Sequence, residues 1–241
     1  MVSSTKQLEG LDKALAQKIY LLLGALFMTS LVVSNLIFQK FFSWQPFGDI
    51  SIFGVPLFQV SVGILPYPIT FLITDLISEI YGVKKANAIV SAGIFASLFS
   101  MGIILLANAV PAMENSSVGD LVFDKVFALS PVAVLASMLA YLAAQYIDIS
   151  LYHFWKHLTK GKHLWVRNNF STFLSQFADT FLVVLLLCTF GVLPWSLFLG
   201  LVASGFIFKV ILAVLDTPFL YGFVWWFRKR FRLSEGQEID W

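Results

Sequence analysis

Long runs of apolar residues, separated by short polar segments, form the main pattern of the chain. The hydrocarbon core of a bilayer is about 30 Å thick, and a helix needs about 20 mostly apolar residues to cross it. Runs that approach this length lie at residues 18–38, 64–81, 86–109, 126–147, 169–191 and 196–227. The pattern predicts an all-α membrane protein with six transmembrane helices, in a single domain that covers residues 1–241.

Two segments of the sequence do not fit the pattern of an uninterrupted transmembrane helix. Residues 43–63 contain several Gly and Pro residues and apolar positions that alternate with others, which predicts a short external hairpin between the first two helices. The last run contains Asp216, Thr217 and Pro218. Because proline has no amide hydrogen and disfavours helix at the residue before it, we expect a break or a bend in the sixth helix.

Composition excludes a water-soluble fold. Hydrophobic residues make up 59% of the chain and charged residues only 12%, whereas about a quarter of the residues in soluble domains are charged. The one cysteine, Cys188, lies in an apolar run, which excludes a disulfide framework and a thiol metal site. The lysines before the first run resemble the start of a signal peptide, but residues 31–35 offer no small-residue cleavage pattern, so we interpret this run as a retained helix.

The basic residues predict the orientation of the helices. Most of the sixteen Lys and Arg residues fall in the N-terminus, in two alternate loops and in the C-terminal tail, whereas the opposite side would hold only Lys40 and Lys125. Cytoplasmic segments of membrane proteins carry an excess of Lys and Arg. We therefore expect both termini in the cytoplasm, with three helices in each half, an arrangement compatible with 3+3 inverted halves around a central site.

Charged residues inside the second run are candidates for function, because each charge in hydrocarbon costs roughly 2.5–3.5 kcal/mol on insertion scales. Asp75 and Glu79 are four residues apart and so lie on one helix face. Asp75 lies deeper in the span, and Glu79 lies close to the cytoplasmic boundary. For both residues, substrate binding and a structural hydrogen-bonding role remain open.

Polar residues in the last two runs point to a second site. Gln176 and Asp179 share a face of the fifth helix, and Lys209 lies near the middle of the sixth. Because a very short turn joins these helices, Asp179 and Lys209 should lie at similar depth, either as a structural ion pair or as shared ligands of a substrate. Asp216 is the alternative partner of Lys209. Asn35, in the first helix, would bond another helix or a ligand.

Several motifs of other protein classes are absent. The chain has no phosphate-binding loop of the Gly-x-x-x-x-Gly-Lys-Ser/Thr type, so it is not itself an ATPase, and it has no nucleophile elbow or zinc helix. His153 and His157 have a metal-compatible spacing, but their basic loop favours solvated histidines. No metal, cofactor or nucleic-acid partner is predicted.

The second run carries a specific motif from Tyr67 to Gly82, which contains Tyr-Pro, Phe-Leu-x-Thr-Asp and Glu-x-Tyr-Gly. In this motif the chain closely resembles the queuosine precursor transporter family. Weaker matches extend the resemblance over about residues 30–228, and they are Ser34-Asn35, Ser175, Asp179-Thr180, Lys209 and Pro218-x-x-Tyr221-Gly222.

The resemblance implies a transporter, and not an enzyme, that imports queuosine precursors across the bacterial inner membrane for transfer RNA modification. These substrates are 7-deazaguanine bases such as 7-cyano-7-deazaguanine, 7-aminomethyl-7-deazaguanine or queuine. Such a base presents an N–H and an amine side by side, which a carboxylate accepts, and a carbonyl to which an amide or ammonium donates. The candidate substrate-binding residues are Asp179, Asp75, Lys209, Gln176, Asn35, Glu79 and Tyr67.

Two other functions compete with a stand-alone carrier. One is a substrate-binding membrane subunit of an ATP-driven vitamin-type importer, which would need ATPase partner subunits. The other is an intramembrane metal-dependent transferase that uses Asp75 and Glu79, although the chain lacks a paired second acidic motif. The predicted partners are the lipid bilayer and a nucleobase-like small molecule. The preferred base, the energy source and the choice between monomer and homodimer are left open.

Overall fold

The computed structural model of the protein describes all residues except 1–4, 39, 45–47, 128–130, 161 and 192, and it leaves the side chains of 41, 43, 59 and 131–136 aside. The described part of the chain is mostly helical. Its α-helices are α1 (Gly10–Ile37), α2 (Tyr67–Ile80), α3 (Val83–Asn108), α4 (Asp120–Phe127), α5 (Pro131–Leu158), α6 (Leu164–Thr189) and α7 (Phe198–Phe231).

Five helical segments of the described residues are long and apolar enough to cross a membrane. They are Gly10–Ile37, Val62–Ile80, Val83–Asn108, Leu164–Thr189 and Trp195–Phe231. A further long helix, α5, has 28 residues and overlaps the predicted span 126–147, of which residues 128–130 lie outside the described part. The chain thus has the helices of a multi-pass membrane protein, while the number of six spans stays a prediction.

The helix α7 runs without interruption through Pro218. The sixth helix was predicted to break or to bend at residues 216–218, and a break there is therefore wrong. Proline is tolerated in membrane helices where neighbouring groups satisfy the backbone that it frees. Next to it, the Thr217 hydroxyl donates to the Ala213 carbonyl one turn earlier at 3.1 Å, and it also contacts the Asn169 side chain of α6 at 3.2 Å. The side chain of Thr217 therefore ties this part of α7 to the neighbouring helix.

Short strands complete the fold. Strand β1 (Thr5–Gln7) pairs in parallel with β6 (Glu238–Asp240), β2 (Phe41–Ser43) pairs antiparallel with β5 (Gln59–Ser61), and β3 (Ser51–Ile52) pairs antiparallel with β4 (Val55–Pro56). The β2–β5 and β3–β4 pairs lie between α1 and α2, where the sequence predicted a hairpin. We call this unit the hairpin, and the opposite end of the molecule, with β1 and β6, the terminal end.

The hairpin packs against α7. Phe58 is buried beside Phe208, with ring centroids 5.5 Å apart, and its backbone N–H donates to the Ser204 hydroxyl at 3.2 Å. Gly200 lies so close to the hairpin that a side chain there would collide with Val55. The hairpin is thus fixed to the helices by aromatic packing and by a close backbone approach.

Helices α2 and α6 carry most of the buried polar residues among those that the structure describes. Every residue of α2 from Ile73 to Ile80 is buried. In α6 the buried face is mainly polar, and its members include Arg167, Asn168, Ser171, Thr172, Ser175, Gln176, Asp179 and Thr180. Large apolar side chains such as Leu22, Phe95 and Phe99 point outward instead. This distribution suits a protein surrounded by lipid, in which polar groups must be satisfied in the interior.

Candidate functional site

A cavity of about 180 Å³ lies among the helices towards the hairpin end. We call it the Asp179 cavity. Its polar lining comes from several helices and from the segment before α2, and the lining includes Ser34, Asn35, Ser61, Tyr67, Ser97, Tyr141, Asp179 and Lys209. Four of the candidates chosen from the sequence therefore meet in one place.

Asp179 is bound by two other polar side chains that line this cavity. Its Oδ2 atom forms an ion pair with the Lys209 ammonium and accepts a hydrogen bond of 2.6 Å from the Tyr67 hydroxyl. Lys209 also lies 4.8 Å from the centre of the Tyr67 ring. The Oδ1 atom of Asp179 is buried and has no hydrogen-bond partner in the described part of the protein. The site thus offers one acceptor oxygen that no donor of the described segments occupies.

The short connection between α6 and α7 explains why Asp179 and Lys209 meet. Asp179 lies ten residues before the end of α6 at Thr189, and Lys209 lies eleven residues after the start of α7 at Phe198. At a rise of about 1.5 Å per residue, both residues are about 15 Å from the turn. The ion pair that the sequence offered as one alternative is present, and Asp216 is not the partner of Lys209 among the described ion pairs.

Close packing of α1 against the start of α2 shapes the other wall of the cavity. The Ser34 hydroxyl donates to the Gly63 carbonyl, and a side chain at position 63 would collide with Phe38. Asn35, the next residue of α1, lines the cavity. The Tyr67 ring is held in place by Tyr141 of α5, at a centroid distance of 5.4 Å.

Gln176 lines a smaller neighbouring cavity of about 20 Å³ together with Tyr67, Thr172, Lys209 and Asp216. Such a volume is about the space needed for one water molecule. Since Tyr67 and Lys209 line both cavities, the two spaces are adjacent. The Oε1 atom of Gln176 is buried without a hydrogen-bond partner in the part of the chain that the structure describes.

Asp75 lines neither of these cavities. It is buried between helices, where its Oδ2 accepts a hydrogen bond of 3.4 Å from Thr172 of α6, and Asp148 of α5 accepts one of 2.8 Å from Ser175, three residues further along α6. Asp148 is not among the candidates predicted from the sequence, because the apolar run ends at residue 147 whereas α5 continues to Leu158. Only the fold identifies Asp148, because α5 extends beyond the apolar run and buries this residue completely.

Glu79 also lies away from the Asp179 cavity, surrounded by donors. Its carboxylate accepts from Arg167 at 2.6 Å, from Arg228 at 2.9 Å and from the Tyr152 hydroxyl at 3.2 Å, and Lys156 lies at 3.7 Å. We call these residues the Glu79 cluster. The sequence analysis used their basic members only to predict orientation. The carboxylate of Glu79 is 1% exposed, and several donors already occupy it.

The Glu79 cluster joins the terminal end of the molecule to the helices. Lys156 pairs with Glu238 of β6 at 2.9 Å, and Lys85 of α3 lies 3.1 Å from the centre of the Trp241 ring. Strand β6 in turn pairs with β1. The segments with β1 and β6 therefore lie at the same end of the bundle, across the helices from the hairpin.

Three contacts at increasing depth connect α2 to α6. Tyr67 meets Asp179, Asp75 meets Thr172, and Glu79 meets Arg167. The positions rise along α2 as they fall along α6, so the two helices run in opposite directions. The steps are of eight and four residues in α2 and of seven and five in α6, and the step of five is about 1.4 helical turns. The contact between Glu79 and Arg167 therefore leaves α6 from a different face than the other two, and the long side chain of Arg167 bridges the distance.

Comparison with known proteins supplies the family. A family described as "Putative vitamin uptake transporter" matches residues 61–223. The chain belongs to this family. A relative from Bacillus subtilis (strain 168), named "Probable queuosine precursor transporter", is 25% identical over 173 residues, which cover 71% of this chain and 73% of the relative. No solved structure matches the chain significantly.

Membership in this transporter family confirms the resemblance that the motif from Tyr67 to Gly82 predicted. The protein is a multi-pass membrane transporter of a small molecule and not an enzyme, so the interpretation as a metal-dependent transferase is wrong. The matched residues 61–223 include all the α2–α6 contacts described above and Lys209. The family match thus covers the candidate site.

Proposed function

We propose that the protein imports 7-deazaguanine precursors of queuosine across the bacterial inner membrane, and that it binds them in the Asp179 cavity. The observation that carries the proposal is the buried Oδ1 atom of Asp179, an acceptor at the wall of a cavity that receives no hydrogen bond from the described residues. A buried polar atom in this state costs free energy, which a ligand donor would recover. The name of the Bacillus subtilis relative supports the substrate class.

The chemistry of the cavity fits a deazaguanine base. The ring N–H and the exocyclic amine of the base donate side by side, and a carboxylate has about four lone-pair positions to receive them. Lys209 and Asn35 supply donors for the base carbonyl, and Gln176 lies in the adjoining cavity. The rings of Tyr67 and Tyr141 supply aromatic surface against which the base can pack.

The size of the cavity favours a free base. Its volume of about 180 Å³ lies below the range of about 300–1,000 Å³ that is usual for drug-sized ligands. A bicyclic base needs less space than the same base with a ribose attached. Among the proposed substrates, size therefore favours 7-cyano-7-deazaguanine and 7-aminomethyl-7-deazaguanine over their nucleosides. Queuine, which carries a cyclopentenediol group, is the largest of the proposed bases and fills the most space.

The proposed topology has six spans with both termini in the cytoplasm. It rests on the distribution of Lys and Arg and is supported by β1 and β6, which bring the described chain ends together. In this orientation the Asp179 cavity lies in the outer half of the membrane, and the Glu79 cluster closes the inner half. The opposite directions of α2 and α6, the middle helices of their halves, support 3+3 inverted halves.

The proposed substrate is tested in a bacterial strain that cannot synthesise deazaguanine bases. The strain, with and without this protein, receives each base in the medium, and queuosine in its transfer RNA is measured. We expect queuosine only in cells that contain the protein. If no supplied base yields queuosine at normal membrane abundance of the protein, the substrate proposal is wrong. Co-purification of ATPase subunits would instead support a subunit of an ATP-driven importer.

A further inference from the structure

Two buried carboxyl groups face each other between α2 and α5. Asp75 is 3% exposed and Asp148 is fully buried, and both contact the same part of α6, Asp75 through Thr172 and Asp148 through Ser175. Two ionised carboxylates that share a buried site repel each other, and a proton on one of the two removes this repulsion. This geometry describes a site that holds one proton between two acids.

The other contacts of the pair leave one oxygen of each acid for that proton. Thr172 donates to Asp75 Oδ2 at 3.4 Å, and Ser175 donates to Asp148 Oδ1 at 2.8 Å. The remaining atoms, Asp75 Oδ1 and Asp148 Oδ2, receive no hydrogen bond from any hydroxyl, amide or ammonium group of the described residues. A shared proton between these two atoms would satisfy both.

No cation neutralises the pair within the described part of the chain, since neither acid takes part in an ion pair there. The basic groups nearest in the fold serve other acids, because Arg167 binds Glu79 and Lys209 binds Asp179. Other titratable groups that face the pair are acids and phenols. They are Tyr141 and Tyr152 of α5 and Asp216 of α7.

Helix α6 connects the acid pair to the proposed substrate. Thr172 and Ser175 contact the two acids, and Gln176 and Asp179 on the same helix line the two cavities. Thr172 itself lines the smaller cavity. A displacement of α6 when Asp179 binds a ligand would therefore change the hydrogen bonds that hold the acid pair.

We propose that Asp75 and Asp148 together bind one proton that crosses the membrane with each substrate molecule. This proposal rests on the proposed function as an importer. The pair takes up a proton from the outer side and releases it to the cytoplasm, so that one positive charge moves inward per neutral base. No covalent bond is made or broken in the base.

Sodium is the other ion that two carboxylates and two hydroxyl groups can bind. A bound Na⁺ would need a space between the oxygen atoms, whereas a proton needs none. Neither acid lines the two cavities described above. The arrangement therefore favours a proton.

Reconstituted vesicles give the transport test, with radiolabelled 7-cyano-7-deazaguanine as the probe. A pH gradient of one unit, acid outside, corresponds to about 1.36 kcal/mol and allows about tenfold accumulation if one proton accompanies each base. We expect this accumulation for the natural protein and none for Asp75→Asn or Asp148→Asn. Both variants should still exchange external for internal base, because an amide imitates the protonated acid. Asp124→Asn, at an exposed position in α4, is the matched control.

A sodium gradient should drive no accumulation. If it does, or if Asp148→Asn still accumulates the base with the pH gradient, the proposal is wrong. Exchange without a gradient measures the proposed function separately, because it requires recognition of the base and not proton coupling. A protein that exchanges the base but ignores the pH gradient would contradict the shared proton while leaving the substrate proposal intact.

Infrared difference spectroscopy tests the proton without any substrate. The purified full-length protein should show a protonated-carboxyl band at neutral pH that disappears in Asp75→Asn and in Asp148→Asn and stays in Asp124→Asn. Because the acids share one proton, either single substitution should remove the same band. A band that neither substitution alters would overturn the proposal, even if the natural substrate proves to be another molecule.

Discussion

At the scale of single residues, the surroundings of an acid distinguish its roles. Among the described residues, Asp179 has one oxygen without a donor beside a cavity, the acid pair has no cation, and Glu79 is surrounded by donors. Asp75, Glu79 and Asp179 all lie in apolar runs of the sequence, and composition alone does not distinguish them. Only the partners that the fold brings to them separate a ligand site, a proton site and a structural site.

Glu79→Gln should mainly lower the stability of the protein, and it should affect the transport step itself less. The substitution leaves the buried Arg167 and Lys156 with less negative charge around them, and breaking a buried ion pair costs roughly 3–5 kcal/mol. We expect low membrane abundance and a reduced melting temperature in detergent. Glu114→Gln, at an exposed position without these contacts, is the control and should behave like the natural protein.

Asp75→Asn should differ from Glu79→Gln, because an amide can still bond Asp148 and leaves no buried cation unpaired. We expect near-normal abundance with a larger loss of accumulated base. Normal abundance and normal melting of Glu79→Gln together with lost uptake would contradict the structural role of Glu79 and move it into the transport path.

At the scale of helices and strands, the sequence predicted long helices well and their ends poorly. Apolar runs report the part of a helix inside hydrocarbon, but α1 begins eight residues before its predicted run and α5 continues well beyond residue 147. Polar residues such as Asp148 remain helical there because the bundle supplies their hydrogen bonds. The hairpin was predictable from Gly, Pro and alternation, whereas its packing on α7 was not.

Glycines of α7 test the packing between the hairpin and the helices. A side chain at Gly200 would meet Val55 and the Ile52 carbonyl, whereas the space at Gly222 is open. Gly200→Ala should destabilise the protein by about 1–3 kcal/mol through overpacking. Gly222→Ala should be neutral or stabilising, since alanine is favoured over glycine in helices by about 1 kcal/mol. Equal melting temperatures of the two variants in detergent would contradict the observed hairpin contact.

At the scale of the whole molecule, the orientation in the membrane follows from the basic residues of the chain ends and loops. Reporter proteins fused after Lys162 and at the C-terminus should both give a cytoplasmic signal, because both segments are rich in Lys and Arg. A periplasmic signal at either position would overturn the topology with six spans and both termini inside. A reporter placed in the hairpin at Gly54, a turn position, should read periplasmic in the same cells.

The central claim is that Asp179 accepts hydrogen bonds from the base, and binding of labelled 7-cyano-7-deazaguanine to purified protein tests it most directly. Asp179→Asn places an amide donor where the ligand needs an acceptor, so we expect normal abundance and loss of binding. The double variant Asp179→Asn with Lys209→Met removes both members of the ion pair and should be stable and still inactive. Natural affinity in the double variant, at equal abundance, would contradict a binding role for both residues.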